Sequence, residues 1–345
     1  MLIYKQLQRF IHLGGARTKL AALWVLHILR RRYIGVFIDP ALGCNYRCQM
    51  CYYSNEEVRR TRIGRMTETQ ITNTAKSLFK KAVKVQIGCG AEPTINIQGT
   101  LQLIRLATQY GVPYISVTSN GVLLKYDILR EMIGSGLDEL TISLHGIHKD
   151  TYEKMMGRTS NYAAFVDLLQ SIKILKQKYP NFSVRINYTM NTDNVGELAD
   201  FDTLFGDIPI NTLQLRPIRQ IGNSEYQNFD LSYVSECIET VVRPLAERCH
   251  KMGITVIYSK QENIQRFEKK NSSTYRERLI PLFTYYNVTP SSYAENAFDF
   301  EKEDYNAYAR RCHIGRKIFK GIFISEKKCA EMGNSLSMSL NYDIE

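Results

Sequence analysis

Short runs of apolar and β-branched residues recur along the chain at Val36–Ile38, Val83–Ile87, Tyr114–Thr118, Glu139–Leu144, Val184–Met190, Asn211–Leu215 and Ile254–Tyr258, with centres 26 to 48 residues apart. Antiparallel strands can be joined by a two-residue hairpin, whereas parallel strands need a crossover of a dozen or more residues, usually a helix. The intervals carry that helix. In 67–82, Ile71, Ala75, Leu78, Phe79 and Ala82 share one face behind a Thr67–Gln70 capping box. In 161–178, Tyr162, Phe165, Leu169 and Ile172 do the same. The spacing therefore predicts an α/β chain, a parallel barrel or open sheet with its chemistry at the carboxyl ends of the strands.

The rhythm stops after Tyr258. Residues 259–310 are polar and rich in tyrosine, with Pro281 and Pro290 as interruptions, and 312–345 carry Cys312 and Cys329. The expected division is a basic amino-terminal helix region (1–33), a barrel of strand–helix units (34–258), and a lid or small second domain (259–345).

Charge narrows the partners. Forty-five basic against 34 acidic residues give +11, which favours an anionic partner such as a phosphate, an acidic peptide, nucleic acid or an anionic membrane face. Seven basic residues and no acid precede Asp39. No aromatic–basic motif singles out nucleic acid. The longest apolar run, Leu20–Leu29, falls short of the ~20 residues that span a bilayer. Arg30, Arg31 and Arg32 follow it where a signal peptide has small cleavage-site residues, so a cytoplasmic protein is expected. The basic-flanked segment Ala16–Arg32 suits either a helix at the inner membrane face or one packed on the barrel.

Chemistry concentrates in Cys44-Asn45-Tyr46-Arg47-Cys48-Gln49-Met50-Cys51, a loop directly after the first strand signal. Three thiolates within eight residues can converge on one metal centre. Structural zinc needs four ligands, and no further cysteine or histidine lies nearby in the sequence. A four-iron cluster on three cysteines keeps one iron open to an exogenous ligand, as catalysis requires. A zinc or simple electron-transfer site, in a protein that is not an enzyme, is the alternative.

This C-x3-C-x2-C loop resembles the signature of the radical S-adenosylmethionine superfamily, and the resemblance extends over about residues 34–258. It implies a partial (β/α)6 TIM-like barrel in which Cys44, Cys48 and Cys51 hold a [4Fe–4S] cluster. The open iron would chelate S-adenosyl-L-methionine, and an electron from a donor such as flavodoxin or ferredoxin would release a 5′-deoxyadenosyl radical. Met50 takes the place of the bulky residue beside the adenine. Gly88-Cys89-Gly90-Ala91-Glu92-Pro93 is similar to the family's Gly-Gly-Glu-Pro motif, so Gly90, Ala91, Glu92 and Pro93 are assigned to the cofactor's amino group; Ala91 replaces a glycine, so the backbone there must avoid positive φ. Asn120, in Thr118-Ser119-Asn120-Gly121, and Ser143, in Ser143-Leu144-His145-Gly146, match further cofactor turns. Arg158 matches the arginine that pairs with the cofactor carboxylate, and Leu215 an apolar residue that touches adenine. Asn187 and Asn191 lie in the fifth-strand pattern.

The segment from Cys312 to Cys329 resembles a trimmed auxiliary-cluster (twitch- or SPASM-like) module, too poor in cysteine for a second cluster. Cys312, Cys329 or Cys89 could instead return a hydrogen atom to a substrate radical; packed free thiols are the alternative. Cys237 and Cys249 read as core. The expected substrate is a peptide side chain, a sugar or an anionic lipid-linked molecule, with a nucleic acid as the outlying alternative.

Overall fold

The computed structural model describes residues 14–157, 162–220, 222–261, 264, 274–295 and 298–336. Strands β1 (Ile34–Ile38), β2 (Ala82–Ile87), β3 (Ile115–Ser119), β4 (Glu139–Leu144), β5 (Ser183–Met190), β6 (Thr212–Pro217), β7 (Thr255–Ile257) and β8 (Tyr285–Val288) form one open sheet. Its order is β8-β1-β2-β3-β4-β5-β6-β7. Within this sheet every pairing with a described register is parallel, and a separate antiparallel pair joins Ala41–Leu42 to Gly64–Arg65. The principal helices are α1 (Ala16–Ile28), α2 (Glu68–Leu78), α3 (Ile97–Gln109), α4 (Tyr126–Gly134), α5 (Lys149–Met156), α6 (Tyr162–Lys178), α7 (Arg243–Lys251), α8 (Tyr275–Thr284), α9 (Tyr305–Arg311), α10 (Ile314–Phe323) and α11 (Glu326–Leu336). Among the described residues, no helix is long and apolar enough to cross a membrane.

All seven expected strands form, and the Thr67–Gln70 capping box opens α2 as the sequence predicts. The tail departs from expectation. Pro281 lies inside α8 rather than interrupting it, and Pro290 opens a short helix, where its missing N–H costs nothing. Between them Tyr285–Val288 adds an eighth strand beside β1, with Val36 opposite Tyr286 and Ile38 opposite Val288. Four residues flanked by prolines are too short for a periodicity signal, and the partner strand lies some 250 positions away in sequence. What makes this a strand is the unfilled edge of β1.

The chain divides into two compact units. One comprises Met1–Leu42, Gly64–Ser116 and Ser272–Asp343, the other Gly43–Ile63 and Val117–Asn271 together with Ile344–Glu345. In the first, Val36, Ile38, Val85, Ile87, Tyr286 and Val288 make one fully buried sheet face. Helix α1 packs there against α8 and α10. In the second, Leu144, Tyr188 and Leu215 stand in register on a buried face, with Leu140, Ile142, Ile186 and Leu213 below them. The alternation of β4, β5 and β6 leaves the opposite face more polar, with Ser143, Asn187 and Gln214 in register on it.

Candidate functional site

The cysteine loop belongs to the second unit and is tied down at both shoulders. Arg47 N–H donates to the Met156 carbonyl (3.3 Å), Gln49 N–H to Met155 (3.0 Å), and the Gln49 carbonyl accepts from Tyr226 N–H (3.0 Å). The Arg59 guanidinium donates to the carbonyls of Cys44 (3.2 Å) and Tyr46 (2.9 Å), gathering the loop from below. Tyr46 is fully buried, its hydroxyl 3.1 Å from that of Tyr152 on α5. Gly157 makes this docking feasible. It ends α5 in the left-handed region (φ 69°), and a Cβ there would lie 1.8 Å from the Arg47 carbonyl oxygen. Gly157→Ala is therefore expected to cost about 2–5 kcal/mol in chemical denaturation and to lower cluster incorporation along with it.

All three thiols are partly exposed. Tyr46 N–H points at Cys44 Sγ (3.4 Å) and Tyr53 N–H at Cys51 Sγ (3.5 Å), while Cys48 Sγ lies 3.7 Å from Met156 Sδ. Burial pushes the Cys51 thiol up, and the Tyr53 N–H and the Arg59 charge oppose that shift. Among the described residues no three Cys, His, Asp or Glu side chains already stand together as a metal-binding group. Each sulfur instead has its own near neighbour: a backbone N–H for Cys44 and Cys51, and the Met156 thioether for Cys48. The donor set itself fits a cluster: three thiols on one short, anchored loop, with backbone N–H groups aimed at two of them to stabilise thiolate charge.

Asn120 reaches this loop. Its amide nitrogen donates to Asn45 Oδ1 (2.9 Å) and lies 3.8 Å from Cys44 Sγ. Neither the Asn45 partner nor the Arg59 clamp was marked by the sequence, because both act through carbonyls and amides rather than through a motif. Met50 is buried beside the third cysteine. Arg158 lies outside the described residues.

Ser143 stands on the polar face of β4, in register with Asn187 on β5 and Gln214 on β6. Leu215 falls on the other face, beside Tyr188, and is buried there. Its neighbour Arg216 joins Ser143 instead, opposite Thr189. Alternation along a strand decides this, and a motif of three residues cannot state its own phase. Lower on the same face Arg185 pairs with Glu139 (2.8 Å) and Gln214 (3.3 Å). Arg216 is exposed and has no ion-pair partner among the described residues; partial desolvation by its neighbours, with the nearby Arg185 charge, holds its pKa down. Buried polar atoms without partners collect on and just beyond these strands: Asn187 Oδ1, His145 Nδ1 and Asn191 Nδ2. Such atoms are costly unless a ligand or water satisfies them. Burial lowers the His145 pKa to about 4, so its imidazole is neutral at physiological pH.

The Gly88–Pro93 turn belongs to the first unit. Asp39, fully buried at the end of β1, accepts from the N–H groups of Cys89 (2.7 Å) and Gly90 (3.1 Å), and also of Ala91. Burial raises its carboxyl to about 7, against the opposing pull of these amides. The positive φ of this turn falls at Gly88 (80°), and Ala91 is not among the positive-φ residues. Alanine is therefore accommodated. Buried Glu92 caps the next turn, accepting from Thr94 N–H (3.1 Å), and Pro93 follows as its first residue. In this unit Cys89 is exposed, Cys312 half-buried and Cys329 fully buried. Cys237 and Cys249, in the other, are core.

A family model for the radical SAM superfamily matches residues 38–204. A probable GTP 3′,8-cyclase of Saccharolobus solfataricus is 26% identical over 212 residues, covering 60% of this chain and 66% of the relative. One from Sulfurisphaera tokodaii is 22% identical over 205 residues, 59% and 62%. The chain thus spans just under two thirds of the length of these curated relatives. Among solved structures, Streptococcus suis SuiB bound to S-adenosylmethionine superposes with a TM-score of 0.58 at 11% identity, over 82% of this chain and 67% of SuiB. The structure of anSMEcpe with bound AdoMet gives 0.51 at 18%, over 65% and 63%. These two show the fold, an open parallel α/β barrel. With the family model matching residues 38–204 and three thiols on the first loop of that segment, the chain carries a radical SAM superfamily domain, and the cofactors of that superfamily are a [4Fe–4S] cluster and S-adenosylmethionine.

Proposed function

We propose that this chain is a radical SAM enzyme that abstracts hydrogen from an anionic substrate of the peptide, sugar or lipid-linked class. The observation that carries the reading is the anchored three-thiol loop with Asn120 against its first cysteine. Cys44, Cys48 and Cys51 would hold the cluster; Met50, Gly90, Ala91, Glu92, Pro93, Asn120, Ser143 and Arg158 would hold the cofactor. Held there, the cluster and S-adenosylmethionine would supply one-electron reductive chemistry for hydrogen abstraction from substrate, with a flavodoxin or ferredoxin as the electron donor. The protein's own part is to fix geometry. The Asp39-braced turn presents Glu92, a carboxylate suited to an ammonium group. The N–H groups of Tyr46 and Tyr53 steady the sulfur charge.

The anionic class rests on Arg216, an exposed cation on the polar face of the sheet that has no ion-pair partner among the described residues, with Asn187 and Asn191 offering buried polar atoms unsatisfied among those residues. The curated relatives are named for a nucleotide and some of the solved neighbours for precursor peptides, and both carry anionic groups. For a candidate substrate such as an acidic peptide, Arg216→Gln is expected to raise KM about 10–100-fold with 5′-deoxyadenosine formation in the absence of substrate unchanged. An unchanged KM removes Arg216 from substrate recognition. Cys329, buried on α11, which packs against α8, is read as a packed thiol; only Cys312 of that pair is partly open to solvent.

The reading as a whole is tested by anaerobic reconstitution with iron and sulfide. Incorporation of about four irons per chain and release of 5′-deoxyadenosine with dithionite support it. Zinc retention without cofactor cleavage supports a non-enzymatic metal protein instead.

A further inference from the structure

Helices α1 and α10 lie against each other in the first unit, with Leu20 fully buried near Gly321 and the His27 ring close over Gly315. A Cβ at Gly315 would meet that ring at 2.7 Å, so the glycine permits the close approach. The outward sides of the pair are apolar where a surface is ordinarily polar. Val25 is 46% exposed, Ile28 57%, Leu29 61%, Phe319 43% and Phe323 69%. The Trp24 and Phe319 rings lie 5.2 Å apart, and Phe319 and Phe323 also 5.2 Å, so the two helices share one aromatic ridge. Neither helix contains an acidic residue, and together they carry Arg17, Lys19, Arg316, Lys317 and Lys320. Arg316 and Lys320 form a stripe about 60° around α10 from Phe319 and Phe323. At the end of α1, Arg30 turns the chain with φ 53°, an uncommon conformation for arginine, and its carbonyl accepts from the Lys81 ammonium (2.6 Å). That turn leaves Arg30 and Arg31 exposed directly after Ile28 and Leu29.

We propose that the α1–α10 ridge docks this protein on an anionic membrane surface, with Trp24, Val25, Ile28, Leu29, Phe319 and Phe323 entering the interface and the flanking cations facing lipid phosphate. Exposed aliphatic and aromatic side chains gain by leaving water, which nucleic acid does not offer them. A second copy of the chain is disfavoured by charge. A two-fold contact places the patch on itself and brings together two cationic helix pairs that carry no acidic residue of their own. An anionic bilayer satisfies both halves of the patch.

The test is flotation of the full chain with vesicles of phosphatidylcholine containing phosphatidylglycerol, against pure phosphatidylcholine. The protein is expected to float with the anionic vesicles and to be released by high salt. Each basic side chain near such a surface strengthens binding about fivefold, so the double variant Arg316→Gln/Lys320→Gln should bind about 25-fold more weakly. Phe319→Ser/Phe323→Ser should also lose binding; both pairs are surface substitutions, and unchanged thermal melts confirm the fold. Three results overturn the proposal: wild type staying unbound with anionic vesicles, both variants floating as wild type does, or sedimentation showing a dimer that Phe319→Ser/Phe323→Ser dissociates.

Discussion

Cys44→Ala is expected to reduce the iron content of anaerobically reconstituted protein from about four per chain to near zero and to take 5′-deoxyadenosine formation to background. Three thiolates are the fewest that keep a four-iron cluster bound while leaving one iron open, so removing one leaves two ligands for four metals. Cys44 is the most informative of the three because it is the sulfur that Asn120 and the Tyr46 N–H face. Cys89→Ala is the matched control: that thiol is exposed and lies outside the loop, and its loss should leave iron content unchanged. Iron counting with ultraviolet–visible spectra distinguishes the two variants. Equal iron in Cys44→Ala and wild type would remove the loop from metal binding.

Asp39→Asn is expected to separate stability from cofactor affinity. In the folded protein the Asp39 carboxyl holds its proton up to about pH 7, against an ordinary value of 3.8. The unfolded chain releases that proton first, so between about pH 4 and pH 7 this group makes the folded state progressively less stable as pH rises. Below that window it contributes no penalty, and above it the full penalty, on the order of 4 kcal/mol, is present. The asparagine variant does not titrate and should gain stability over wild type from pH 5 to pH 8, measured by urea melts. Its affinity for S-adenosylmethionine should nevertheless fall about 10–100-fold, because an amide replaces one of the two oxygens that accept from Cys89, Gly90 and Ala91. A flat stability difference across that pH range would show that Asp39 stays ionised in the fold.

The retention of so expensive a carboxylate is the structural counterpart of the motif beside it. Gly88–Pro93 could be read from sequence as a turn and matched to a family pattern, but Asp39, some fifty residues earlier, carried no signal of its own. The cysteine loop shows the same division. Its three thiols were legible from spacing, whereas Arg59, Asn45 and Gly157 were not, since they hold the loop through backbone carbonyls, a side-chain amide pair or the absence of a side chain. Leu215 and Arg216 mark a further boundary: sequence located the end of β6, and only the register against Tyr188 and Thr189 showed which of the two shares a face with Ser143.

The amino-acid sequence by itself determined the seven strands of the repeating pattern, the helices between them and the position of the sulfur loop after the first strand. Those follow from local periodicity and from covalent spacing, which neighbours in space cannot alter. Tertiary structure alone decided that Tyr285–Val288 is a strand, that Asp39 supports the Glu92 turn, and that Arg216 rather than Leu215 faces the polar side. Each depends on a partner distant in sequence, whose open edge, buried amide or register supplies the free energy that local composition does not.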